Sequence, residues 1–594
     1  MIQQLSKTPN FNILKCNKFF LVLFSMSIIN FLFMHYQILL TCGFELYYYK
    51  TSFFDNLFFC TVDVIVIYII SFLLSFFNTK ISLFITFVFS LIFSFCNVFY
   101  SRFFGQYLSL SSIEQINNLY DKAVINSMLT GFTYYDLYYL FILLLFWRLF
   151  TKLRIYNLSK KSFHTIGICF FSLLSIVLIL HLSYVFVSKK DKIWYTINPL
   201  THFNHLLPNW TTFHKGFVRT YIIDNIKYFN NNYSLNEEQI NEIEKDYKDY
   251  TLRTSNHTLN ENIENVIFIL VESYLSETSD LFVDGKEITP FLNKLKRDDN
   301  VYYNGKMRSH INLGESSDGQ FTYMTGLLPL RSEITISKVD DCYPLGLPRL
   351  LKNANIIHDS QIIVPTSPTT WKQKSMNAIY GINNIYSKID YYEDKKIFDD
   401  LNDEDIFTLS YQKDKSINTH YFSLVLTMSM HSPYDFPEDT KFILNSKLPK
   451  KYLNYLNSCH FFDQQINIYI KKLKESGIYD KSLIVITADH EAHPKQLDMV
   501  GKISTNIPLY IINGGIDKTN AWKGDCNQLD VYTTLLDILG IDCEWRGLGH
   551  TLLNPNYINS VSEKTWKISD EIIYGKYFKN KHLKPIQKHI KKLE

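Results

Sequence analysis

The sequence predicts an α-helical membrane domain followed by an α/β domain with a central, mainly parallel sheet. Aromatic and aliphatic residues crowd into the first third of the 594-residue chain, whereas most charged residues lie in the last two thirds. Several apolar runs in that first third have the length of a membrane-spanning helix. Beyond residue 265, short β-branched runs alternate with helical ones, a pattern typical of a parallel sheet covered by helices.

The predicted membrane domain contains five apolar runs close to the roughly 20 residues that a spanning helix needs. They are residues 18–41, 57–77, 80–100, 134–151 and 164–187. The first run follows three lysines but is longer than the apolar part of a signal peptide and lacks a small-residue cleavage site. We therefore predict five retained transmembrane helices.

The orientation of these helices follows from the placement of lysine and arginine, which are enriched in cytoplasmic loops. The basic residues gather before the first run, in the second turn and in the fourth connection, so the N-terminus is predicted to be cytoplasmic. Five spans then place everything after residue 188 outside. We expect a multi-pass protein of a bacterial cell (inner) membrane with an extracytoplasmic soluble domain, although Lys189, Lys190 and Lys192 oppose this orientation mildly.

Four segments are expected along the chain. They are a five-span transmembrane domain at 1–188, a juxtamembrane linker at 189–260, an α/β domain at 261–555 and a basic tail at 556–594. The tail could rest on anionic headgroups or simply be solvated. A net charge of only +3 gives no argument for a nucleic-acid partner, and none is expected. Asp63, inside the second run, is either a functional intramembrane acid or an interfacial one.

The cysteines of the predicted soluble part do not form a zinc-binding pattern. Cys342, Cys459, Cys526 and Cys543 show no CxxC spacing, so a thiolate zinc site is not expected. In an extracytoplasmic domain some of them could form disulfides, and Cys526 with Cys543 is our first choice of pair.

Polar residues follow directly after the predicted strands. The strands are residues 266–271, 361–364, 422–427, 482–487 and 507–512. In open α/β sheets, ligands bind beyond the carboxyl ends of the strands. The residues found there, in chain order, are Glu272, Trp371 with Lys372, His431, and Asp489 with His490. A polar loop at 312–321, between the first two strands, adds the adjacent serines Ser316 and Ser317.

This combination predicts a site for one divalent metal ion. Two carboxylates, one imidazole and one serine oxygen are a set of ligands that Mn²⁺, Mg²⁺ or Zn²⁺ accepts. A metal ion would lower the pKa of the serine and neutralise charge on an incoming phosphate. His431, Trp371 and Lys372 could then hold phosphate oxygens or steer a leaving group.

At this point the chain resembles the lipoteichoic acid synthase and phosphoethanolamine transferase branch of the alkaline phosphatase/sulfatase superfamily, from the first apolar run to about residue 553. The motifs that carry the resemblance are Val271-Glu272-Ser273, Lys286-Glu-Ile-Thr-Pro-Phe-Leu292, Gly314-Glu-Ser-Ser-Asp318, Thr487-Ala-Asp-His490, Gln528-Leu-Asp-Val-Tyr-Thr-Thr-Leu-Leu-Asp-Ile-Leu-Gly540 and Gly547-Leu-Gly-His-Thr-Leu-Leu553. The resemblance implies five N-terminal spans and an extracytoplasmic sulfatase-like domain.

The resemblance also implies residue roles. Glu272, Ser316, Asp489 and His490 match the metal ligands, and Ser316 matches the nucleophile. Trp371 and His431 match substrate-binding positions of the synthases. The implied reaction moves a phosphorylated headgroup, glycerol phosphate or ethanolamine phosphate, from a phospholipid donor through a covalent serine intermediate to a glycan, lipid or polymer acceptor of the cell envelope.

Three departures separate this chain from the family pattern. Serine stands at position 316 where the family usually has threonine, which leaves Ser317 as a rival nucleophile. Glu491 follows His490 in place of a common glycine. Gln373 stands where the synthases commonly have arginine, which weakens any transfer of glycerol-phosphate specificity to this chain.

Other functions remain open from the sequence. A membrane-tethered phosphodiesterase or phosphatase would use the same site with water as acceptor, and a binding protein would have a degenerate site. Sulfuric-ester hydrolysis requires a Cys or Ser in a C/S-x-P-x-R context. Ser316-Ser-Asp-Gly-Gln lacks the proline and the arginine, and Cys342-Tyr-Pro-Leu-Gly lacks the arginine, so this activity is disfavoured.

Overall fold

The protein was analysed as a computed structural model. It describes residues 10–42, 53–74, 79–104, 107–108, 131–152, 172, 216–217, 237–251, 263–331, 333–339, 346–392, 400–434, 442 and 447–574. The chain divides into two compact units. One comprises residues 1–113 and 131–231, and the other comprises 114–130 and 232–594.

The described part of the first unit is helical. Its helices are α1 (Asn10–Cys42), α2 (Phe53–Leu74), α3 (Thr79–Phe104) and α4 (Leu137–Lys152), the last preceded by a 3₁₀ turn at Tyr134–Asp136. Two of them contain segments that are long and apolar enough to cross a membrane, Val22–Leu40 in α1 and Ile81–Arg102 in α3. Cys60–Ile69 in α2 is a shorter apolar helix, and α4 has 16 residues.

The prediction of five spans is therefore confirmed only in part. The described residues contain two full-length candidate spans, which coincide with the predicted first and third runs. The second predicted run lies largely in the 22-residue helix α2, of which Cys60–Ile69 is found as an apolar stretch, and the fourth lies in the 16-residue helix α4. The fifth, at 164–187, lies outside the described residues apart from position 172.

Buried polar contacts tie together distant parts of this helical unit. The Asp63 carboxylate is buried and accepts a hydrogen bond from the Phe217 backbone N–H at 2.6 Å. At the end of α3, the Arg102 guanidinium binds both carboxylate oxygens of Asp136, at 2.7 and 2.8 Å. Asp63 thus binds a backbone amide far along the chain, which gives this buried acid a structural partner.

The second unit is built around an eight-stranded sheet. Its strands are β1 (Asn265–Val271), β4 (Val301–Arg308), β5 (Asp359–Ile363), β6 (Asn384–Tyr386), β7 (Tyr421–Leu426), β8 (Ser482–Ala488), β9 (Ile507–Ile512) and β10 (Cys526–Asn527). Their order is β10-β4-β9-β8-β1-β7-β5-β6. A separate hairpin pairs β2 (Phe282–Val283) with β3 (Lys286–Glu287). The predicted α/β class and the mainly parallel sheet are confirmed, since only β9 pairs antiparallel, with β4 and β8.

The two central strands of the sheet, β1 and β8, are completely buried. Every residue of β1 and of β8 is buried, as expected for strands covered by helices on both faces. The two strands run parallel with Val271 opposite Ala488, so the residues that follow them emerge side by side. The sheet topology thus brings Glu272 next to Asp489.

Ten helices belong to the second unit among the residues that the structure describes. They are α5 (Glu237–Thr251), α6 (Pro290–Leu295), α7 (Ser316–Thr325), α8 (Leu347–Asn353), α9 (Gln373–Tyr380), α10 (Lys388–Tyr391), α11 (Asp403–Ser416), α12 (Lys450–Glu475), α13 (Gln528–Ile538) and α14 (Glu563–Tyr574). The segment predicted as a basic tail begins with α14, where Ile568 and Ile572 are buried. Its lysine-rich part from residue 576 lies outside the described residues.

The predicted disulfide is wrong. Cys526 and Cys543 are both free thiols, as is Cys459. Cys526 lies buried in β10, and the Cys543 thiol donates to the Trp545 carbonyl at 2.9 Å. Cys342 lies outside the described residues.

Candidate active site

A compact group of acidic and imidazole side chains lies at the carboxyl ends of the two central strands. Glu272 follows β1, and Asp489 and His490 follow β8. One ligand atom from each of the three lies within 4.8 Å of the others. All three residues are buried, and we call them the inner cluster.

Ser316 contacts this cluster from the N-terminus of α7. Its Oγ donates to Glu272 Oε2 at 3.2 Å and lies 3.3 Å from His490 Nε2. Ser317, the alternative nucleophile considered from the sequence, donates its hydroxyl proton to the Gly314 carbonyl at 2.6 Å. The hydroxyl that points toward the carboxylates is therefore that of Ser316.

The loop before α7 is held by Asp318. Its carboxylate accepts from the backbone N–H groups of Asn312 and Gly314, at 3.0 and 2.9 Å, and from the Thr335 hydroxyl at 2.9 Å. Burial raises the pKa of Asp318 to about 7. Glu315, directly before the serine, has a left-handed φ of 44°, a strained value that such a hydrogen-bonded loop can maintain.

Two glycines allow the close approach of this loop and helix. A Cβ at Gly314 would lie 2.2 Å from Asp318 Oδ1, and a Cβ at Gly319 would lie 2.0 Å from the backbone oxygen of Asp489. A side chain at Gly319 would push α7 away from the end of β8, and one at Gly314 would displace the Asp318 carboxylate that holds the loop. Gly319 therefore sets the distance between α7 and the inner cluster.

The geometry of the inner cluster suits a divalent ion. His490 Nδ1 lies 2.8 Å from the Glu491 carbonyl, which can only accept, so this nitrogen carries a proton. In the neutral ring Nε2 then has a lone pair, and Nε2 is the atom that faces Ser316 and both carboxylates. A mixed set of oxygen and nitrogen donors is thus oriented as a metal site requires.

The electrostatics of the cluster also favour a bound cation. Burial, together with the neighbouring Glu272 carboxylate, raises the pKa of Asp489 to about 7. Burial opposes a charged His490, but the Asp489 and Glu272 carboxylates raise its pKa to about 10. Without a metal ion, the two buried carboxylates keep the His490 imidazole protonated. A bound metal ion would supply the positive charge in place of that proton.

A second group lies beside the same serine and was not predicted from the sequence. His493 Nε2 lies 3.1 Å from Glu315 Oε2, and the His493 ring stacks on His490 with centroids 5.8 Å apart. The His493 side chain is 32% exposed and the Glu315 side chain is 17% exposed. We call Glu315 and His493 the outer pair. The only sequence signal was their position, one residue before Ser316 and three after His490.

A cavity adjoins the Ser316 side of the cluster. Its volume is about 90 Å³. It is lined by Ser316, Glu272 and Asp489 together with Trp371, Gln373, His431 and Gln320, among others. The structure thus brings two of the three predicted substrate residues, Trp371 and His431, to one cavity with the serine. Lys372 is not among the lining residues, and its ammonium lies 3.5 Å from the Ser337 hydroxyl.

The orientation of His431 is fixed by a backbone contact. Its Nδ1 lies 2.7 Å from the Ser432 carbonyl and therefore carries a proton. The Nε2 atom is left for other contacts. His431 thus has the orientation needed to exchange a proton with a molecule in the cavity.

Comparison with known proteins gives a consistent picture. Residues 264–541 match the Sulfatase family model. Lipoteichoic acid synthase 2 of Bacillus subtilis (strain 168) is 30% identical over 349 residues, which cover 54% of this chain and 52% of the relative. The lipoteichoic acid synthase of Staphylococcus saprophyticus is 24% identical and covers 83% of this chain and 78% of its own length.

A solved structure extends the likeness in fold. An integral membrane lipooligosaccharide phosphoethanolamine transferase from Neisseria meningitidis superposes with a TM-score of 0.56 at 14% identity. The match covers 90% of this chain and 98% of that structure.

The chain spans about half the length of the Bacillus relative and about three quarters of the Staphylococcus relative. The resemblance stated from the motifs is confirmed.

Proposed function

We propose that the chain belongs to the lipoteichoic acid synthase and phosphoethanolamine transferase branch of the alkaline phosphatase/sulfatase superfamily and that it is a membrane-bound, metal-dependent phosphotransferase. It moves a phosphorylated headgroup from a phospholipid donor to a glycan, lipid or polymer acceptor of the cell envelope. The headgroup is glycerol phosphate or ethanolamine phosphate.

The observation that carries this proposal is the position of the Ser316 hydroxyl. It is hydrogen-bonded to a buried carboxylate, lies beside an oriented imidazole and lines a cavity. A serine becomes a nucleophile when its proton has an acceptor nearby. A serine that served only the fold would instead be expected to bond within its own turn, as Ser317 does.

In the first step, Ser316 Oγ attacks the phosphorus of the donor lipid. The new Oγ–P bond forms as the P–O bond to diacylglycerol breaks. The serine proton passes toward Glu272, which already accepts a hydrogen bond from this hydroxyl. His431, at the cavity wall, supplies a proton to the departing diacylglycerol oxygen.

In the second step, a hydroxyl of the acceptor attacks the same phosphorus. His431, now neutral, takes the proton of that hydroxyl. The Oγ–P bond breaks, and the proton held by Glu272 returns to Oγ to restore Ser316. Trp371, in the same cavity, offers a ring face and edge against which the headgroup can be positioned. Lys372 stays a predicted phosphate contact that would require its side chain to leave Ser337.

One divalent ion is the proposed cofactor, Mn²⁺ or Mg²⁺ with Zn²⁺ as the alternative. Glu272, Ser316, Asp489 and His490 are the residues that would hold it. When bound, such an ion lowers the pKa of the serine and offsets charge that develops on the phosphoryl oxygens. The excess of buried carboxylates over cations in the inner cluster supports this assignment.

The proposed location is a bacterial cell membrane. We propose a multi-pass chain with a cytoplasmic N-terminus and an extracytoplasmic second unit, as the distribution of basic residues predicts. The two full-length candidate spans of the described residues support membrane insertion.

A comparison of donor consumption with and without an acceptor tests the function. Full-length protein in lipid nanodiscs that contain labelled phosphatidylglycerol or phosphatidylethanolamine is supplied with Mn²⁺ and a hydroxyl-rich glycolipid. Transfer predicts that label appears on the glycolipid and that diacylglycerol release rises when the glycolipid is added. Equal release in both conditions, with the label on free headgroup phosphate, would identify a phosphodiesterase and contradict the proposal.

A further inference from the structure

Gln320 lies at the wall of the cavity beside Ser316, and its side-chain amide is a buried hydrogen-bond donor. Gln320 is 2% exposed and is one of the residues that line the cavity with Ser316. Among the residues that the structure describes, no acceptor lies within hydrogen-bonding distance of its Nε2 atom. Buried amide donors without an acceptor are rare, because a donor that has lost water and gained nothing lowers stability.

Gln320 lies on the same face of α7 as Ser316, the proposed nucleophile. Ser316 begins α7 and Gln320 follows it by four residues, so the two side chains share a face of the helix, about 5–6 Å apart at Cβ. A phosphoryl group attached to Ser316 Oγ carries oxygen atoms into the same space. An acceptor in the cavity would satisfy the donor that the protein leaves without a partner.

We propose that the Gln320 amide binds an oxygen of the phosphorylated headgroup. This inference rests on the proposed function and adds a substrate-binding residue beyond the predicted Trp371, His431 and Lys372. The donor is neutral, so it fits an anionic phosphoryl oxygen or a headgroup hydroxyl. It offers nothing to an ammonium group, which has hydrogen atoms but no acceptor.

The same helix provides a matched control. Thr322 is fully buried, and its Oγ1 is likewise without a partner among the described residues. Thr322 is not among the residues that line the cavity. The two side chains therefore share a helix, burial and an unsatisfied polar atom, and they differ in access to the cavity.

The experiment compares Gln320→Met and Thr322→Val in the full-length protein. Both changes keep the shape of the side chain and remove an unsatisfied polar group, so both should raise the unfolding temperature by about 2–4 °C. Only Gln320→Met should lower kcat/KM for headgroup transfer, by about 10- to 100-fold. It should also weaken binding of glycerol phosphate, measured by calorimetry, by about tenfold.

Inorganic phosphate serves as a second probe. Weaker binding of both probes to Gln320→Met would identify the acceptor as a phosphoryl oxygen, and weaker binding of glycerol phosphate alone would identify a glycerol hydroxyl. Unchanged binding of both, or an unfolding temperature that falls in Gln320→Met, would overturn the inference. A wild-type protein that binds the probes but transfers no headgroup would contradict the proposed function instead, while the binding comparison would still decide the role of Gln320.

Discussion

The inner cluster and the outer pair lie beside the same serine but differ in burial and in charge balance. Glu272 and Asp489 are buried acids that share one imidazole, His490, so negative charge is in excess. Glu315 and His493 form a one-to-one pair that is partly exposed to water. A buried excess of negative charge requires a cation, whereas a balanced and partly hydrated pair is complete without one. On this ground we propose that the metal ion binds at the inner cluster, although Glu315 and His493 also come close to His490 in a geometry that could hold an ion.

The largest expected difference is in catalysis. Glu272→Gln keeps the size of the side chain but removes a charge from the inner cluster, and should lower headgroup transfer by about 10³-fold or more. Glu315→Gln makes the same chemical change in the outer pair and should lower transfer by less than about tenfold. Initial rates at a fixed Mn²⁺ concentration measure both. Equal losses in the two variants would mean that the outer pair also belongs to the reaction centre.

A smaller effect is expected from the packing that positions the inner cluster. Gly319→Ala places a methyl group 2.0 Å from the Asp489 backbone oxygen and should reduce the free energy of unfolding by about 1–3 kcal/mol. Because Asp489 must shift, the affinity for Mn²⁺ should fall as well. Thermal unfolding and metal titration of the full-length variant measure the two effects.

Gly514→Ala is a matched control for this substitution. Its added methyl group would lie 3.1 Å from the nearest atom, Cγ2 of the Ile511 side chain, which can adjust. It should cost less than about 1 kcal/mol and leave Mn²⁺ affinity unchanged. A Gly319→Ala protein as stable as this control would show that α7 and β8 are not in tight contact.

The smallest effect is the ion pair of the outer pair. Burial opposes a charged His493, but the Glu315 carboxylate raises its pKa above the ordinary value. Because the pKa of His493 is higher in the folded than in the unfolded chain, its ion pair stabilises the fold fully below about pH 6.5. This stabilisation is lost as the pH rises through the pKa of His493 in the folded protein. Glu315→Gln should therefore cost about 0.2–1 kcal/mol at pH 6 and less at pH 9, measured by chemical unfolding. A cost that grows with pH would contradict this pairing.

The central strands could be predicted from the sequence because both of their faces are buried. The runs at 266–271 and 482–487 are rich in β-branched residues and carry no charge, which predicts buried strands, and their bounds agree with β1 and β8 within a residue. Strand β4 was missed because its sequence contains Asn304, Gly305 and charged residues. It pairs antiparallel with β9 and has a register shift between Asn304 and Met307, with alternating burial.

The site was predictable to the extent that it follows strand ends. Glu272, Asp489 and His490 come directly after parallel neighbours, so topology alone brings them together. The outer pair and Gln320 depend on the path of the loop and on which face of α7 meets the cavity. Neither the strained backbone of Glu315 nor an unsatisfied amide can be read from residue types, so these features required the structure.

The central claim is that Ser316 carries the headgroup as a covalent phosphodiester. Its direct test is the mass of the full-length protein and of its Ser316-containing peptide after incubation with mixed phospholipids and Mn²⁺, without an acceptor. A covalent Ser316 intermediate predicts an added mass of about 154 Da for glycerol phosphate or about 123 Da for ethanolamine phosphate. The adduct should persist in Ser317→Ala and be absent in Ser316→Ala. An adduct that remains in Ser316→Ala, or diacylglycerol release by that variant at the wild-type rate, would contradict the account.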